Sequence, residues 1–578
     1  MKLSGLLFAA ALLGSCTQPA AEENYTRHVD PKIGTGGHGH VFVGANVPFG
    51  LVQVGPTSIP QTWDWCSGYH ASDSTVIGFS HTHLSGTGIG DLFDITVMPV
   101  VGEVTYARGE ENDPASGLWS YADRTREITK PGYYSVPLVR YGITAELTAT
   151  ERVGLHRYTF PASDAAAVVF DLENGGCWDK ATDTGFRFSD DSTRIAGWRC
   201  STGWAKNQEV YFVAEFSKPA KGISYLQPGE IDDSKMPRIA ARYARVDFDT
   251  AEGEQVLVKV ALSPVSIEGA KANLAAELPG WDFDATAAAA DKAWNDELSK
   301  VKIETADETA RRIFYTALYH TMIAPSLFCD VNGDYRGADG KVHENLGRDT
   351  YTTFSLWDTY RAAMPLMTVL HPERMPDIIQ TMLHIADEQG RLPVWHLWGN
   401  ETDCMVGNPG IVAVADAIVK GIGGFDREKA FEAIRKTAMN PDRGNGLRME
   451  YGYIPCEMFN EAVAYDMEYA LADGAAARAA ETLGKAEDAK YFEERSHSYR
   501  NYFDPQTGFM RGRDSRKGWR TPFNAFASTH RADDYCEGNA WQYTWLAPHD
   551  VKGLEGLFGS RAKMIEKLDS LFTVSSVI

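Results

Sequence analysis

The sequence predicts a β-sandwich followed by an α-helical domain. Between residues 25 and 265, short runs alternate apolar with polar residues, and breaks rich in Gly, Pro and Asp separate them. This pattern is typical of strands with one buried face. After Ser266 the apolar residues recur at helical spacing. A chain of 578 residues with a hydrophobic fraction of 44% is sufficient for two domains with large cores.

The first residues resemble an export signal. Residues 6–13 form an apolar run too short to span a bilayer, and Leu13-Gly14-Ser15-Cys16 follows with small residues typical of a cleavage site. Because this pattern resembles a bacterial lipobox, we predict a lipoprotein signal peptide over 1–15, lipid on Cys16 and a tether over 16–24. An ordinary signal peptide with an incidental cysteine is the alternative. The lipobox predicts an exported lipoprotein of the periplasm or outer membrane.

The β-sandwich is predicted over residues 25–265, with strands indicated by alternating runs such as 134–139, 145–150 and 210–215. A linker helix is predicted within 266–300, where an Ala-rich stretch covers 285–300. Residues 301–578 predict a helical domain, since consecutive helical hairpins can close into a toroid. Its amphipathic segments are 306–322, 356–370, 375–388, 411–422, 427–437, 461–471, 475–483, 486–502 and 563–572.

Charge and cysteine content narrow the function classes. A formal net charge of −22 opposes binding to nucleic acid, whose phosphates are neutralised by Lys and Arg. An aromatic fraction of 11% combined with this acidity suits carbohydrate better. Apart from Cys16, seven cysteines occur without a Cys-x-x-Cys pair. We therefore expect no disulfide framework and at most an isolated bridge.

Two short motifs suggest a metal, but neither has a diagnostic ligand spacing. His81-Thr82-His83 could place two imidazoles on one strand face and, with His38, His40 and His70, suggest a zinc site, although these rings can equally hydrogen-bond to Gly-rich loops. Residues 330–334 resemble the start of a calcium loop, but Tyr335 and Lys341 occupy the positions of the required Gly and Glu. Asn332-Gly333 favours a hairpin turn instead. The residues alone therefore predict no metal ligand.

Two segments of the helical domain combine aromatic rings with charge. Trp357-Asp358-Thr359-Tyr360-Arg361 sets an indole beside a carboxylate and a guanidinium, which can stack on a sugar and bind its hydroxyls. Residues 395–404 add two tryptophans and the carboxylates of Glu401 and Asp403. Such costly polar groups beside large apolar ones favour a ligand site, with a packing motif or a capped loop as the alternative.

Glu537 is the candidate acid of this site. With Trp541 and Trp545 it is spaced to share one face of a helix. Beside aromatic rings a carboxyl group loses solvation, so its neutral form is favoured and it can donate a proton to a leaving oxygen. The alternative is an acid in the first turn of a helix, complementing the helix dipole.

Six ordered segments carry these residues. They are Gly36-Gly37-His38-Gly39-His40, Trp63-Asp64-Trp65-Cys66-Ser67-Gly68-Tyr69-His70, Gly78-Phe79-Ser80-His81-Thr82-His83-Leu84-Ser85-Gly86, Ser355-Leu356-Trp357-Asp358-Thr359-Tyr360-Arg361, Glu401-Thr402-Asp403-Cys404-Met405 and Glu537-Gly538-Asn539-Ala540-Trp541-Gln542-Tyr543. Together they resemble glycoside hydrolase family 92, from about residue 28 to the end. The resemblance implies a β-sandwich followed by an (α/α)6 barrel, with a calcium-dependent, inverting exo-α-mannosidase site between them.

The resemblance also implies residue roles. By motif, Glu537 would be the general acid. Calcium would bridge O2 and O3 of mannose, as a hard cation bound by oxygen ligands can. The pocket for the terminal mannose would be lined by Trp65, Cys66, Trp357 and Asp358, with Glu401 and Asp403 as further contributors.

The family pattern continues into two segments that this sequence does not contain. One, of the Gly-Asn-Glu-Pro-Ser-His type, is associated with calcium, and the other, of the Asp-Glu-Asp-x-Gly type, supplies the aspartate base. Residues 568–572 match only the helix that precedes them. We therefore expect a barrel that is incomplete at its C-terminus, calcium ligands missing from this chain, and low or no activity.

Three functions follow as hypotheses. The first is an exo-acting α-mannosidase that removes terminal mannose from N-glycans or mannan. The second is a non-catalytic, lipid-anchored glycan-binding protein, held at the membrane through Cys16. The third is a deglycosylating enzyme of the peptide-N-glycan amidase type, which needs an activated cysteine. For that role the sequence offers Cys66 near His70 and Asp73.

Overall fold

The structure is a computed structural model that describes residues 23–59, 62–187, 192–227, 239–345 and 347–575. The predicted signal peptide, the lipidation site Cys16 and most of the predicted tether lie outside the described residues. Within the described ranges, no helix has the length and apolar character needed to cross a bilayer.

Two antiparallel sheets form the first domain. The smaller has six strands, in the spatial order Gly55–Thr57, Gly78–Ser80, Thr96–Val101, Ser163–Asp171, Tyr243–Thr250 and Gly222–Leu226. The larger has nine strands, in the order Ile239–Ala240, Lys180–Arg187, Arg194–Thr202, Gln208–Phe216, Glu254–Ser263, Val153–Phe160, Ile143–Ala149, Tyr133–Leu138 and Ile128–Lys130.

Alternation along the strands makes the two sheets face each other. In Gln208–Phe216 every second side chain from Gln208 onward is buried, while Glu209, Tyr211 and Glu215 are only partly so. Phe212 of this strand stacks on Phe170 of the other sheet, with ring centroids 5.9 Å apart. The sequence therefore predicted the β-sandwich correctly from its period of two.

The second domain is helical. The first two helices of the chain follow the last sandwich strand and pack against the sandwich. In chain order, the α-helices of the described residues are Ile267–Glu277, Phe283–Leu298, Glu308–His320, Leu356–Thr359, Ala363–Leu370, Met375–Gln389, Pro409–Val419, Arg427–Ala438, Asn445–Tyr451, Ala462–Thr482, Ala486–Arg495, Ala540–Tyr543, Val551–Phe558 and Arg561–Thr573. Short two- or three-stranded sheets lie between some of them. Their strands are Ser326–Leu327, Tyr335–Arg336, Val342–His343, Tyr351–Thr352, Phe354–Ser355, Trp395–Leu397, Asn400–Glu401, Phe503–Asp504 and Phe509–Met510, and one further pair, Thr75–Val76 with Ser120–Tyr121, belongs to the first domain.

Three helix predictions were wrong in their boundaries, one of them over 486–502, where the α-helix ends at Arg495 and a separate 3-10 turn covers Ser498–Tyr502. The helix predicted over 356–370 is broken before Ala363, because the ring of Pro365 clashes with the carbonyl four residues earlier. The segments predicted over 461–471 and 475–483 form one helix, Ala462–Thr482. Gly474, which lies between the two predicted segments, allows close packing: a Cβ there would lie 3.1 Å from His549.

A buried arginine fastens the sandwich to the helical domain. Arg152 lies in the turn before Val153–Phe160. Its Nη1 donates to Glu277 in the first helix over 2.8 Å, and its Nε donates to the Cys329 carbonyl over 2.7 Å. Glu277 also accepts from the backbone N–H of Arg152. The ion pair therefore joins three segments that are distant in sequence.

We expect Arg152→Met to lower the free energy of unfolding by about 3 kcal/mol, because it removes the buried guanidinium and leaves the Glu277 carboxylate, whose side chain is only 14% exposed, without its cation. Arg126→Met is the matched control, since the Arg126 side chain is 68% exposed and pairs with Asp123 at the surface. That change should cost less than about 1 kcal/mol. Urea denaturation of both variants gives the comparison, and equal midpoints would refute the role given to Arg152.

Candidate active site

One large cavity lies where the sandwich meets the helical domain, and both contribute to its walls. Its volume is about 1320 Å³. The sandwich supplies His38, His40, Trp63, Gly86, Thr87, Gly88, Ile89, Trp178 and Trp204. The helical domain supplies Asp358, Trp395, Thr402, Asp403, Cys404, Met405, Glu457, Met458, Phe459, Asn460, Glu461, Tyr465, His530, Arg531, Cys536 and Glu537.

Tryptophans form the sandwich side of this cavity. Trp63 is 48% exposed and Trp178 45% exposed, which is unusual for such large apolar rings. Trp63 is fixed by its Nε1, which donates to the Gly88 carbonyl over 3.0 Å. Trp204 contacts Trp395 of the helical domain edge-on, with centroids 4.4 Å apart. Exposed indoles around a cavity can stack on the apolar faces of sugar rings.

Carboxylates form much of the opposite side. Asp358, Asp403, Glu457, Glu461 and Glu537 all line the cavity. Burial raises the pKa of Glu461, and one of its carboxyl oxygens has no hydrogen-bond partner among the described residues. The cavity thus sets acids, which bind hydroxyl groups, across from stacking surfaces, and this combination suits a polyhydroxylated ligand.

Glu537 does not lie on a helix, which corrects the sequence prediction. It precedes the helix Ala540–Tyr543, which begins after a capping box formed by Asn539 and Gln542. That helix ends before Trp545, so the three residues cannot share one helical face. Trp541 packs on Phe509 and Trp545 stacks on Phe558 instead. The alternative, an acid in the first helical turn, is wrong for the same reason.

A second, smaller cavity also touches Glu537. Its volume is about 190 Å³, and Trp357, Arg361 and Glu468 line it too. The buried carboxylate of Glu468 accepts hydrogen bonds from Trp357 Nε1 over 3.0 Å and from Tyr360 Oη over 2.8 Å. Arg361 Nη2 donates to it over 2.5 Å. Glu468 therefore fixes the whole Trp-Asp-Thr-Tyr-Arg segment beside Glu537.

Glu401 organises a loop rather than lining the large cavity. Its carboxylate accepts from the backbone N–H groups of Val394, Trp395 and Asp403, over 2.8, 2.9 and 3.0 Å. These bonds place Trp395 and Asp403 at the cavity. Asp403 is paired with Arg391, which limits how far its carboxylate can turn.

Trp65 and Cys66 lie behind the cavity wall. Trp65 stacks on His70 and its Nε1 donates to Asp73 over 2.8 Å. Cys66 is fully buried and lies against the Trp63 carbonyl. The rings of His70 and the thiol of Cys66 thus have separate partners, and His70 bonds to Ser72. The described contacts include no Cys-His pair of the kind that an amidase needs.

Two buried histidines of the sandwich, His81 and His83, are structural. His81 Nδ1 contacts the Ile95 carbonyl, and its Nε2 lies 2.9 Å from His156 Nε2. His83 Nδ1 contacts the Gln53 carbonyl. Burial lowers the pKa of His81 to about 4 and of His83 to about 3, so both rings are neutral. The zinc hypothesis therefore has no support in these contacts.

A calcium site requires several oxygen ligands close together. Three close carboxylate or imidazole ligands come together, within the described ranges, only at Glu297, His371 and Glu373. Lys300 Nζ already lies 2.8 Å from Glu297 and 3.0 Å from Glu373, so this cluster is neutralised by lysine. Asp330 is held by Ser263 and Asn273. These residues do not form the oxygen-rich cradle that calcium requires.

Sequence comparison identifies the family. The glycosyl hydrolase family 92 N-terminal domain matches residues 28–263, and the family 92 catalytic domain matches residues 269–577. The chain belongs to glycosyl hydrolase family 92.

Three relatives illustrate the similarity. A family 92 α-mannosidase of Bacteroides thetaiotaomicron, solved with mannoimidazole, is 38% identical with a TM-score of 0.91, over 96% of this chain and 75% of that one. A family 92 inverting mannosidase of the same species is 29% identical with a TM-score of 0.84, over 95% and 74%. An "uncharacterized secreted glycosidase" of Arthroderma benhamiae is 26% identical, over 98% of this chain and 76% of that protein.

Membership confirms the predicted fold class and the enzyme class. This family 92 glycoside hydrolase has the β-sandwich followed by the (α/α)6 barrel of its relatives. Of the predicted site residues, Asp358, Asp403 and Glu537 line the large cavity. Trp357 lines the small one, whereas Trp65, Cys66 and Glu401 lie outside both. The roles of all seven remain predictions.

The hydrolase also contains site residues that the sequence analysis missed. Trp63 lies in the same Trp-Asp-Trp motif as Trp65, and the motif alone does not indicate which ring faces the cavity. Trp204 follows Gly203, and Trp178 lies two residues after Gly176. Both are in sandwich loops, and their position at the cavity is visible only in the structure. Glu468 lies within a long Ala-rich helix, where no local signal marks a buried acid.

Left-handed backbone is concentrated at the large cavity. An L-residue in this conformation costs about 1–2 kcal/mol. Residues other than glycine that have positive φ and line the cavity are His40, Asp403, Met405, Glu461, Arg531 and Glu537, with φ between 47° and 73°.

A buried aspartate supports three loops of the sandwich wall. Asp91 Oδ2 accepts from the Ala205 N–H over 2.8 Å, beside Trp204. The neighbouring Gly90 carbonyl accepts from the Trp178 N–H over 2.8 Å. Burial, followed by the nearby charges of Asp179 and Asp94, raises the pKa of Asp91 to about 7.

We expect Asp91→Asn to raise the melting temperature at pH 8. The folded-state pKa of about 7 lies above the ordinary value of 3.8, so protonated Asp91 favours folding below about pH 4. That contribution is lost as the pH rises through 7, where wild type must bury a charge and the asparagine variant does not. The difference should vanish near pH 4, as measured by calorimetry. Exposed Asp164→Asn is the control, and a less stable D91N protein at pH 8 would contradict the assignment.

Proposed function

We propose that this family 92 hydrolase is an exo-acting α-mannosidase that inverts the configuration at the anomeric carbon. The observation that carries the proposal is the meeting of Glu537 with exposed tryptophans and further carboxylates in one cavity. Two solved relatives support it, one an α-mannosidase bound to mannoimidazole and the other described as an inverting mannosidase. We propose mannose-containing glycans, either N-glycans or mannan, as the substrates.

Glu537 is the proposed general acid. It would donate its proton to the glycosidic oxygen as the bond to the anomeric carbon breaks, so that the leaving group departs as an alcohol. Water would attack from the opposite face of the sugar and release its proton to solvent, which gives the inverted product; Glu537 would then take up a proton from solvent. Asp358 and Asp403, as proposed hydroxyl acceptors, would hold the terminal mannose while Trp63 and Trp178 stack on the rest of the glycan.

Calcium is the cofactor that the family resemblance implies. When bound, it would supply a hard cation for sugar hydroxyl groups. Because the described residues do not form a cradle for it, no step of the proposed mechanism passes through the ion.

We also propose that this enzyme is exported from the cytoplasm. The secreted glycosidase among the relatives supports export of this chain as well. We further propose that lipid on Cys16 anchors the protein at the membrane of the periplasm or outer membrane. In cells fed labelled palmitate, the full chain should take up label, whereas Cys16→Ser should not; label on both, or on neither, would count against the anchor.

We expect Glu537→Gln to lower kcat/KM on a mannose disaccharide by about 10²-fold to 10⁴-fold, because an amide cannot protonate the leaving oxygen. The loss should be much smaller on an aryl mannoside with an acidic phenol, which leaves without protonation. Initial rates on both substrates test this, with NMR to identify the anomer released first.

Glu432→Gln is the matched control, since Glu432 is exposed on the helix Arg427–Ala438 and lines neither cavity. It should keep most of the activity and the same ratio between the two substrates. Equal losses on both substrates for E537Q would remove Glu537 from the role of acid. Tight mannose binding by the wild type without turnover would favour a glycan-binding protein, and release of whole glycans would favour an amidase.

A further inference from the structure

Two cysteines from distant parts of the sandwich meet behind the tryptophan wall. Cys66 Sγ lies 2.7 Å from the carbonyl oxygen of Trp63, and Cys177 Sγ lies 3.3 Å from that of Thr62. The two sulfurs thus contact consecutive carbonyl groups of one segment. The interaction between the two thiols raises the pKa of Cys66 and lowers the pKa of Cys177. Both cysteines are free thiols in the structure.

The backbone around Cys177 is firmly placed. The Gly176 N–H donates to the Leu92 carbonyl and the Trp178 N–H donates to the Gly90 carbonyl, each over 2.8 Å. Gly90 is packed so closely that a Cβ there would lie 2.5 Å from Cys177 Cβ. Hydrogen bonds on both sides of Cys177 therefore fix the backbone that places its side chain at the Thr62 carbonyl, one residue before the carbonyl that Cys66 contacts.

We propose that Cys66 and Cys177 are a redox pair that closes to a disulfide when a small-molecule disulfide such as oxidised glutathione is present. The bond would join residue 66 to residue 177. Trp63 lies three residues before Cys66, and Trp178 follows Cys177 directly. The bond would therefore join the two segments that carry these rings on the sandwich side of the large cavity. We expect this coupling to change glycan binding. That effect rests on the proposed function, whereas the cross-link itself does not.

The order of the two steps follows from exposure. Cys66 is fully buried, while Cys177 is partly exposed and can meet an oxidant. The hydrogen bond from Cys66 lowers the pKa of the Cys177 thiol, which favours the thiolate needed for attack. Cys177 is therefore the attacking residue and Cys66 the resolving residue.

The exchange is balanced by glutathione. The Cys177 thiolate attacks one sulfur of oxidised glutathione, whose S–S bond breaks and releases one glutathione thiolate. Cys66 then loses its proton to solvent and attacks the Cys177 sulfur of the mixed disulfide. The second glutathione thiolate leaves, and both take up protons. Two protein thiols are oxidised, and one glutathione disulfide is reduced to two thiols.

The test uses the wild-type full chain, equilibrated with oxidised glutathione, alkylated, digested without reductant and analysed by mass spectrometry. We expect a cross-linked pair of peptides containing Cys66 and Cys177, lighter by two hydrogen atoms than the two thiol peptides. Reduction should release both. The pairing is overturned if both cysteines remain alkylated, if glutathione stays attached to Cys177, or if only other cysteines become linked.

Variants identify the attacking residue. Cys66→Ser should accumulate glutathione on Cys177, because no resolving thiol remains. Cys177→Ser should leave Cys66 unmodified. Cys200→Ser, a change of a cysteine on the strand Arg194–Thr202, should form the cross-link like wild type. Glutathione on Cys66 in the Cys177→Ser variant would overturn the proposed order.

The melting temperature shows whether the disulfide, once formed, stabilises the fold. Oxidised wild type should melt several degrees above reduced wild type, since a cross-link between distant residues restricts the unfolded chain. The Cys66→Ser/Cys177→Ser double variant should melt at one temperature in both buffers. Loss of mannosidase activity in every form, with the cross-link intact, would refute only the proposed function. An unchanged melting temperature with the cross-link formed would refute its stabilising role.

Discussion

The site depends on one constraint: two domains must hold their surfaces a fixed distance apart around a shared cavity. The edge-on contact of Trp204 with Trp395 fixes that distance at the cavity itself. Farther away, the ion pair of Arg152 with Glu277 and the bond from Arg152 to Cys329 prevent the domains from sliding. Neither domain alone encloses the cavity, because the exposed indoles come mainly from one and the carboxylates from the other. Rigid attachment is therefore part of the chemistry as much as of the stability.

Polar groups that do not touch the cavity determine its shape. Glu468 gathers Trp357, Tyr360 and Arg361 around one buried carboxylate, and Glu401 collects three backbone amides. Both acids are satisfied by donors, so each stabilises one arrangement of its loop and disfavours others. The residues that face the cavity can then be held in place without contacts from the ligand.

Much of the fold was predictable from the sequence, because it depends on periodicity. The period of two in Gln208–Phe216 and the helical spacing of Glu308–His320 are visible without coordinates. Pro365, which breaks the helix before Ala363, is visible in the sequence. The apolar spacing on both sides of it nevertheless led to the prediction of one helix. The site was less predictable, since it depends on which way a ring points. Trp63 and Trp65 share a motif, yet one faces the cavity and the other stacks on His70. Glu537 illustrates the same limit: spacing placed it on a helix, whereas the cap at Asn539 starts the helix later.

The left-handed residues around the cavity have an evolutionary consequence. At His40, Asp403, Glu461 and Glu537 glycine would relieve the backbone, so selection for a more robust fold favours loss of the side chain. Under the proposed mechanism, selection for turnover acts in the opposite direction at Asp403 and Glu537. Robustness and activity therefore compete at this rim, and consensus mutagenesis for heat tolerance is safest elsewhere in the molecule.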